Sequence, residues 1–177
     1  MIIYPPPPAP NIFPPHAPSF FAFTYKLLAS DTSADNLIIT TDSAQHSAAI
    51  IYAISGHAST KGLNESSDAD SSTNADPPSC TPSNGILDYL WIVCMATDGT
   101  VVASAAPSDF SDLITNASDS SSDGTSISTA SRTYRTGSAY NPGWFTSATA
   151  AWSTITIIIT SVDVYGFGLN NLFLRFT

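Results

Sequence analysis

Residues 153–162 read STITIIITSV, and eight of these ten are Thr, Ile or Val. Side chains branched at Cβ lose rotamer freedom in a helix and pack well on a pleated strand. The run is also far short of the ~20 apolar residues a helix needs to cross a bilayer. Nowhere does the chain sustain an apolar period of 3.6 residues. It shows short β-rich runs separated by turn clusters instead. Such runs fall at 20–28, 36–41, 47–54, 86–96, 100–106, 126–135, 144–162 and 170–177. The pattern predicts an all-β fold: one antiparallel β-sandwich or jelly-roll-like domain.

Several local readings follow. The run 86–96 (ILDYLWIVCMA) leads into TDGT, so its Asp-Gly turn predicts a hairpin with 100–106. PSDFSDLI (107–114) reads as a short helical turn or a strand edge. In 126–135, Ile127, Thr129, Ser131, Thr133 and Arg135 alternate with Ser128, Ala130, Arg132 and Tyr134, the period of a strand. Residues 55–85 are polar and without hydrophobic period, which predicts a long connection. A loop of that length within a compact domain tends to be functional or mobile.

The segment 1–19 is different in kind. Eight of the first eighteen residues are proline. Proline removes a backbone donor and fixes φ, so neither a helix nor the centre of a sheet forms there. The favoured conformation is polyproline II, which is cheap in entropy to order and leaves its carbonyls free. At ~3.1 Å per residue, eighteen residues reach roughly 50 Å. Ile2, Ile3, Tyr4, Ile12 and Phe13 punctuate Pro5, Pro6, Pro7, Pro8 and the later prolines. Apolar residues so placed predict a docking arm rather than a solvated tail. The segment has neither the basic start nor the proline-free apolar core of a secretory signal. The expected organisation is an extended arm, 1–19, and a β domain, 20–177.

Charge narrows the partners. Only 11% of residues are charged, against about 25% in ordinary soluble domains. Five Lys+Arg face fourteen Asp+Glu, a net charge of −9. Phosphate binding requires clustered cations, so nucleic acid is not an expected partner. Catalytic chemistry has no signature either. His16, His46 and His57 lie near no nucleophile motif. Asp68, Asp70, Asn74 and Asp76 resemble a Ca²⁺ loop, but Thr73 and Ser79 stand where an EF-hand needs Gly and Glu. Two cysteines and three histidines lack zinc spacing. Asp88 lies beside a core strand with no nameable carboxylate partner. The expectation is therefore no metal, no cofactor and no enzyme activity.

Cys94 lies in an apolar run and is expected as a buried thiol. Cys80 lies in a loop-like segment, and the sequence leaves a bond between the two open. Asn64-Glu65-Ser66 and Asn116-Ala117-Ser118 match the glycosylation pattern at a frequency that chance provides in so Asn- and Ser-rich a chain. The aromatics Trp91, Trp144, Trp152, Phe110 and Tyr134 lie in apolar strand contexts and are expected in the core rather than on a carbohydrate platform.

One resemblance covers more than half the chain. Its marks are Pro77-Pro78, the strand from Gly85 through Trp91, Pro107 with Phe110, and Arg132 with Arg135. Asn141-Pro142-Gly143, then Trp152 with Thr156-Ile157, complete it. This pattern of packing and turn residues resembles a recurring β-sandwich module in virion proteins of tailed bacteriophages. The resemblance implies a structural role as a capsid decoration (cement) protein, or alternatively a tail-associated receptor- or glycan-binding module. It implies docking on the major capsid protein or other virion subunits, a homo-oligomer such as a trimer, and no membrane partner. Related chains carry further N-terminal strands where this one has prolines.

Overall fold

The computed structural model describes residues 46–54, 64–118, 124–161 and 169–170. The arm 1–19, the expected strands at 20–28 and 36–41, and most of the one at 170–177 lie outside the described residues. The fold is all-β. Its strands are β1 (Ala53–Ile54), β2 (Asn64–Ala75), β3 (Leu87–Asp98), β4 (Ser111–Ala117), β5 (Thr125–Thr136), β6 (Phe145–Thr160) and β7 (Leu169–Asn170). Five of them form one antiparallel sheet in the order β2-β6-β3-β5-β4, and β1 pairs separately with β7.

The most apolar strand takes the centre. β3 is bordered by β5, with Trp91 opposite Arg132, and by β6, with Trp91 opposite Ile158. Both faces of β3 are buried, because its apolar residues are continuous rather than alternating. On one face, Val93 and Met95 join Ala75, Ala103, Ala130, Phe145 and Trp152. Tyr89 and Trp91 join Cys80 and Ile158 beside them. On the other face, Leu90, Ile92 and Cys94 pack with Ile155 and Ile157 under Tyr52 and Ile54. Each fully buried side chain of this size stabilises the fold by about 1.5–3 kcal/mol of transfer energy.

The first face is covered by connections, 76–86, 99–110 and 137–144. Backbone buried under such a cover needs hydrogen-bond partners. Inward-facing hydroxyls supply them. Thr154 donates to the Asp76 carbonyl at 3.0 Å and Thr156 to that of Pro78 at 2.7 Å. The hydroxyls of Thr97 and Ser126 both lie 2.7 Å from the Val101 carbonyl, and Ser128 accepts from the Ala103 amide at 2.9 Å. Cys80 and Tyr140 exchange backbone bonds of 3.1 and 3.2 Å, and Thr146 donates to Ala105. The Ser/Thr content of β5 and β6 is thus a set of struts holding loops onto a sheet.

Three expectations are corrected. Residues 64–75, expected within a polar connection, form the twelve-residue strand β2. Pairing with β6 at both ends of β2, interrupted by an irregularity between Ser72 and Asn74, overrides the poor strand propensity of Ser, Asp and Asn. Residues 100–106 do not pair with β3 as a hairpin. Gly99 turns the chain at φ 87°, and the segment crosses the first face, burying Ala103. Of 47–54, only Ala53–Ile54 is strand. This segment is held to the second face by Tyr52, whose hydroxyl lies 2.5 Å from that of Thr129, and by Asn116, which donates to the Ala49 carbonyl at 3.1 Å. The stretch 107–114, read as a short helical turn or a strand edge, contains a tight non-helical turn and then the start of edge strand β4.

Candidate functional site

β5 presents Ala130, Arg132 and Tyr134 in succession on the first face. Ala130 is fully buried, and Tyr134 is 37% exposed. Arg132 therefore stands where the covering loops end. Two of those loops supply its neighbours. The turn in which Phe110 donates to the Pro107 carbonyl brings Phe110 alongside. The bridge to Cys80 fixes Tyr140. The guanidinium carbon lies 4.4 Å from the Tyr134 ring centre, 4.9 Å from Tyr140 and 5.7 Å from Phe110. Its Nη1 donates to the Tyr140 hydroxyl at 2.6 Å and lies 3.7 Å from Asp109 Oδ2. Tyr140 meets Trp91 edge-on below, with centroids 5.5 Å apart, and Tyr134 to the side at 5.4 Å.

A cation over an aromatic face gains about 0.5–1 kcal/mol when exposed and ~2 kcal/mol when desolvated. The Arg132 side chain is only 17% exposed, whereas Asp109 is 71% exposed. The rings rather than the carboxylate hold the arginine. Asp109 adopts a left-handed φ of 67°, and Asp112, three residues on, one of 55°. Asp tolerates this region better than most residues. Asp112 sits in a bulge of β4, where its Oδ2 accepts from the hydroxyls of Ser111 at 2.9 Å and Ser131 at 3.4 Å. The Trp91 indole N–H, buried beneath the cluster, has no hydrogen-bond partner among the described residues.

Two further large apolar side chains of the β domain are exposed. Ile86 is 69% exposed and Trp144 53% exposed. Ile86 abuts Gly137, where a Cβ would come within 2.8 Å of Ile86 Cγ1. On the opposite face Arg135 pairs with Asp88 at 3.4 Å. Arg132 and Arg135 are the two arginines among the described residues, and no lysine falls there.

The candidates from the sequence distribute unevenly. The arm residues Ile2, Ile3, Tyr4, Pro5, Pro6, Pro7, Pro8, Ile12 and Phe13 lie outside the described residues, as do His16 and His57. Trp91 and Trp152 are core, as expected, and Phe110 is half-buried. Trp144 and Tyr134 depart from that expectation, since both are exposed. Asp68 and Asp70 lie on β2, and no group of three His, Cys, Asp or Glu side chains among the described residues has metal-binding geometry. Asn116 is half-buried with its amide engaged. Cys80 and Cys94 are buried on opposite faces of the sheet, so no bond joins the two. Burial pushes the Cys94 thiol up to about 12. Desolvation likewise pushes the Tyr52 hydroxyl up to about 12, against the opposing hydrogen bond to Thr129.

The sequence reading missed the cluster as a unit. The spacing of Arg132 and Tyr134 places them on one strand face, but Phe110 and Tyr140 arrive from separate turns. The arrangement brings together aromatic rings, a guanidinium with several donors and an exposed carboxylate. No family model, no curated protein and no solved structure matches this chain.

Proposed function

We propose that this chain is a non-enzymatic structural protein of a tailed-bacteriophage particle, a capsid decoration (cement) protein that docks on the capsid lattice through its proline-rich arm and the edges of its β domain. The observation that carries the reading is that three large apolar side chains of the β domain, Ile86, Tyr134 and Trp144, are exposed. Aromatic residues are enriched at protein interfaces, and Tyr134 and Trp144 are exposed here on an otherwise acidic chain. The virion module that residues 77–157 resemble and the arm 1–19 support the same reading. In it, the Ser and Thr side chains of the sheet serve as structural struts. The partner is the major capsid protein or another virion subunit, and a homo-oligomer such as a trimer provides the repeated contacts of a lattice. A sandwich completes the β domain.

Mass spectrometry of purified particles tests this directly: the protein should be present in fixed copy number, and its absence ends the proposal. Deleting residues 1–18 should weaken particle binding and leave the β circular-dichroism signal unchanged.

Trp144 on its turn favours a second reading, a tail-associated module that binds a receptor or glycan by ring stacking. A glycan array with one reproducible ligand lost on Trp144→Ala would favour it, and a blank array would count against it.

A further inference from the structure

We infer that the Arg132 cluster is the docking site of the chain's own proline-rich stretch, residues 4–15. This rests on the reading of that stretch as an arm, and not on its place in a virion. The chemistries of the two are complementary. A polyproline segment is poor in donors and rich in acceptors, since proline lacks N–H and its carbonyls stay unpaired. Its binding surface must therefore offer ring faces for the pyrrolidines and donors for the carbonyls. Known polyproline sites are aromatic-lined grooves of this kind.

Among the described residues the Arg132 cluster brings rings and donors together, with Tyr134 exposed at its edge. Tyr134 and Tyr140 lie with ring centres 5.4 Å apart, and Phe110 stands 6.4 Å from Tyr140. The guanidinium among them carries five N–H donors in all. The contacts described for it are those of Nη1, to the Tyr140 hydroxyl and Asp109. Arg135, the other arginine, lies on the opposite face and has no ring against it in the described contacts. The occupant carries YPPPPAP and FPP, with Tyr4, Ile12 and Phe13 as apolar side chains among the prolines. Ordering such a segment costs less than ordering an ordinary peptide, because it is extended before it binds.

Tethering favours the chain's own segment over a neighbour's. Thirty residues, 16–45, separate it from the described domain. Fully extended they span at most about 100 Å, and the strands expected at 20–28 and 36–41 shorten the free part of that reach. A tether converts binding into an intramolecular event at an effective concentration on the order of millimolar. A contact of ~100 μM affinity would then be filled about ten to one.

The test compares the full chain with a chain lacking residues 1–18, by NMR of ¹³C-labelled Tyr and Phe rings. The Tyr134, Tyr140 and Phe110 signals should move on truncation. A synthetic peptide of residues 4–15 added to the truncated chain should return them toward their full-length positions, saturably. Tyr134→Ala should weaken the peptide at least tenfold. A peptide with Pro5, Pro6, Pro7 and Pro8 replaced by Ala, which requires no protein variant, should leave the rings unmoved. Ring signals indifferent to truncation and to peptide, or perturbation confined to other residues, would overturn the inference. So would a full-length signal lost on dilution, which would assign the site to a neighbouring copy's segment. Particle binding that weakens on truncation while the rings stay silent would end this inference and leave the arm itself standing.

Discussion

Replacing Arg132 tests whether the aromatic cluster holds the arginine or merely surrounds it. Arg132→Met keeps most of the aliphatic stem and removes the charge and the planar donor group. Three ring faces within 4.4–5.7 Å each contribute about 0.5–1 kcal/mol, and more for the best-buried one. These contributions share one cation and do not add in full. The 2.6 Å hydrogen bond from a charged donor to Tyr140 contributes ~1.5–3 kcal/mol. The ion pair with the exposed Asp109 adds only about 0–1 kcal/mol. The expected loss is ~2–4 kcal/mol, and for a domain of this size each kcal/mol lowers Tm by about 2–4 °C. Arg132→Lys keeps the charge but not the stacking plane, and should lose roughly half as much. Arg135→Met, whose partner is one carboxylate across 3.4 Å with the arginine largely exposed, is the control and should cost ~0–1 kcal/mol. Urea denaturation reads all three as shifts in midpoint at unchanged slope. Equal shifts for Arg132→Met and Arg135→Met would refute the argument, because it assigns the difference to the rings.

Other perturbations follow from single contacts. Gly137→Ala places a Cβ 2.8 Å from Ile86 Cγ1 and 3.1 Å from the backbone of Gly85 and Ile86, so thermal unfolding should show a loss of about 1–3 kcal/mol. Thr156→Val keeps the shape but removes the donor to the Pro78 carbonyl, and should cost ~1–3 kcal/mol in urea. Between pH 10 and about 12 the unfolded chain has released the Tyr52 proton while the folded chain keeps it, so stability present below pH 10 is lost as pH rises through that window. Tyr52→Phe should flatten the Tyr52 part of that slope in pH-dependent denaturation, leaving the part due to Cys94, whose window opens at about 9. An aromatic disulfide reagent should find no reactive Cys94 in the native protein at pH 8 and should find it in urea; rapid native labelling there would contradict its burial.

The three central strands were legible because their signals are local. Continuous apolar residues mark β3, alternation marks β5, and β-branched residues mark β6. β2 was not legible, since nothing in NESSDADSSTNA favours a strand except the partner it meets in β6. The Asp98-Gly99 turn was real, but a turn signal does not say whether the chain returns along its own strand or crosses the sheet. Ala103 and Ala106 settle that by packing against Val93, Met95 and Trp152, a long-range fact. The candidate site was legible only in pieces. Tyr134 and Phe110 carried aromatic signals, and Arg132 stood on its strand, but their meeting depends on the Cys80–Tyr140 bridge and on the left-handed Asp109.

The polarity of β2 has a consequence during synthesis. About seventy residues separate its last residue, Ala75, from the first residue of its partner, Phe145. At the usual ~5–20 residues per second, β2 leaves the ribosome roughly 4–14 s before β6 exists to pair with it. A strand of isoleucine and valine waiting that long would be an open template for any other nascent chain. A strand of serine and aspartate waits in water without attracting one. The aggregation-prone half of the pair, β6, is made last, when β2 and β3 are both already present to flank it.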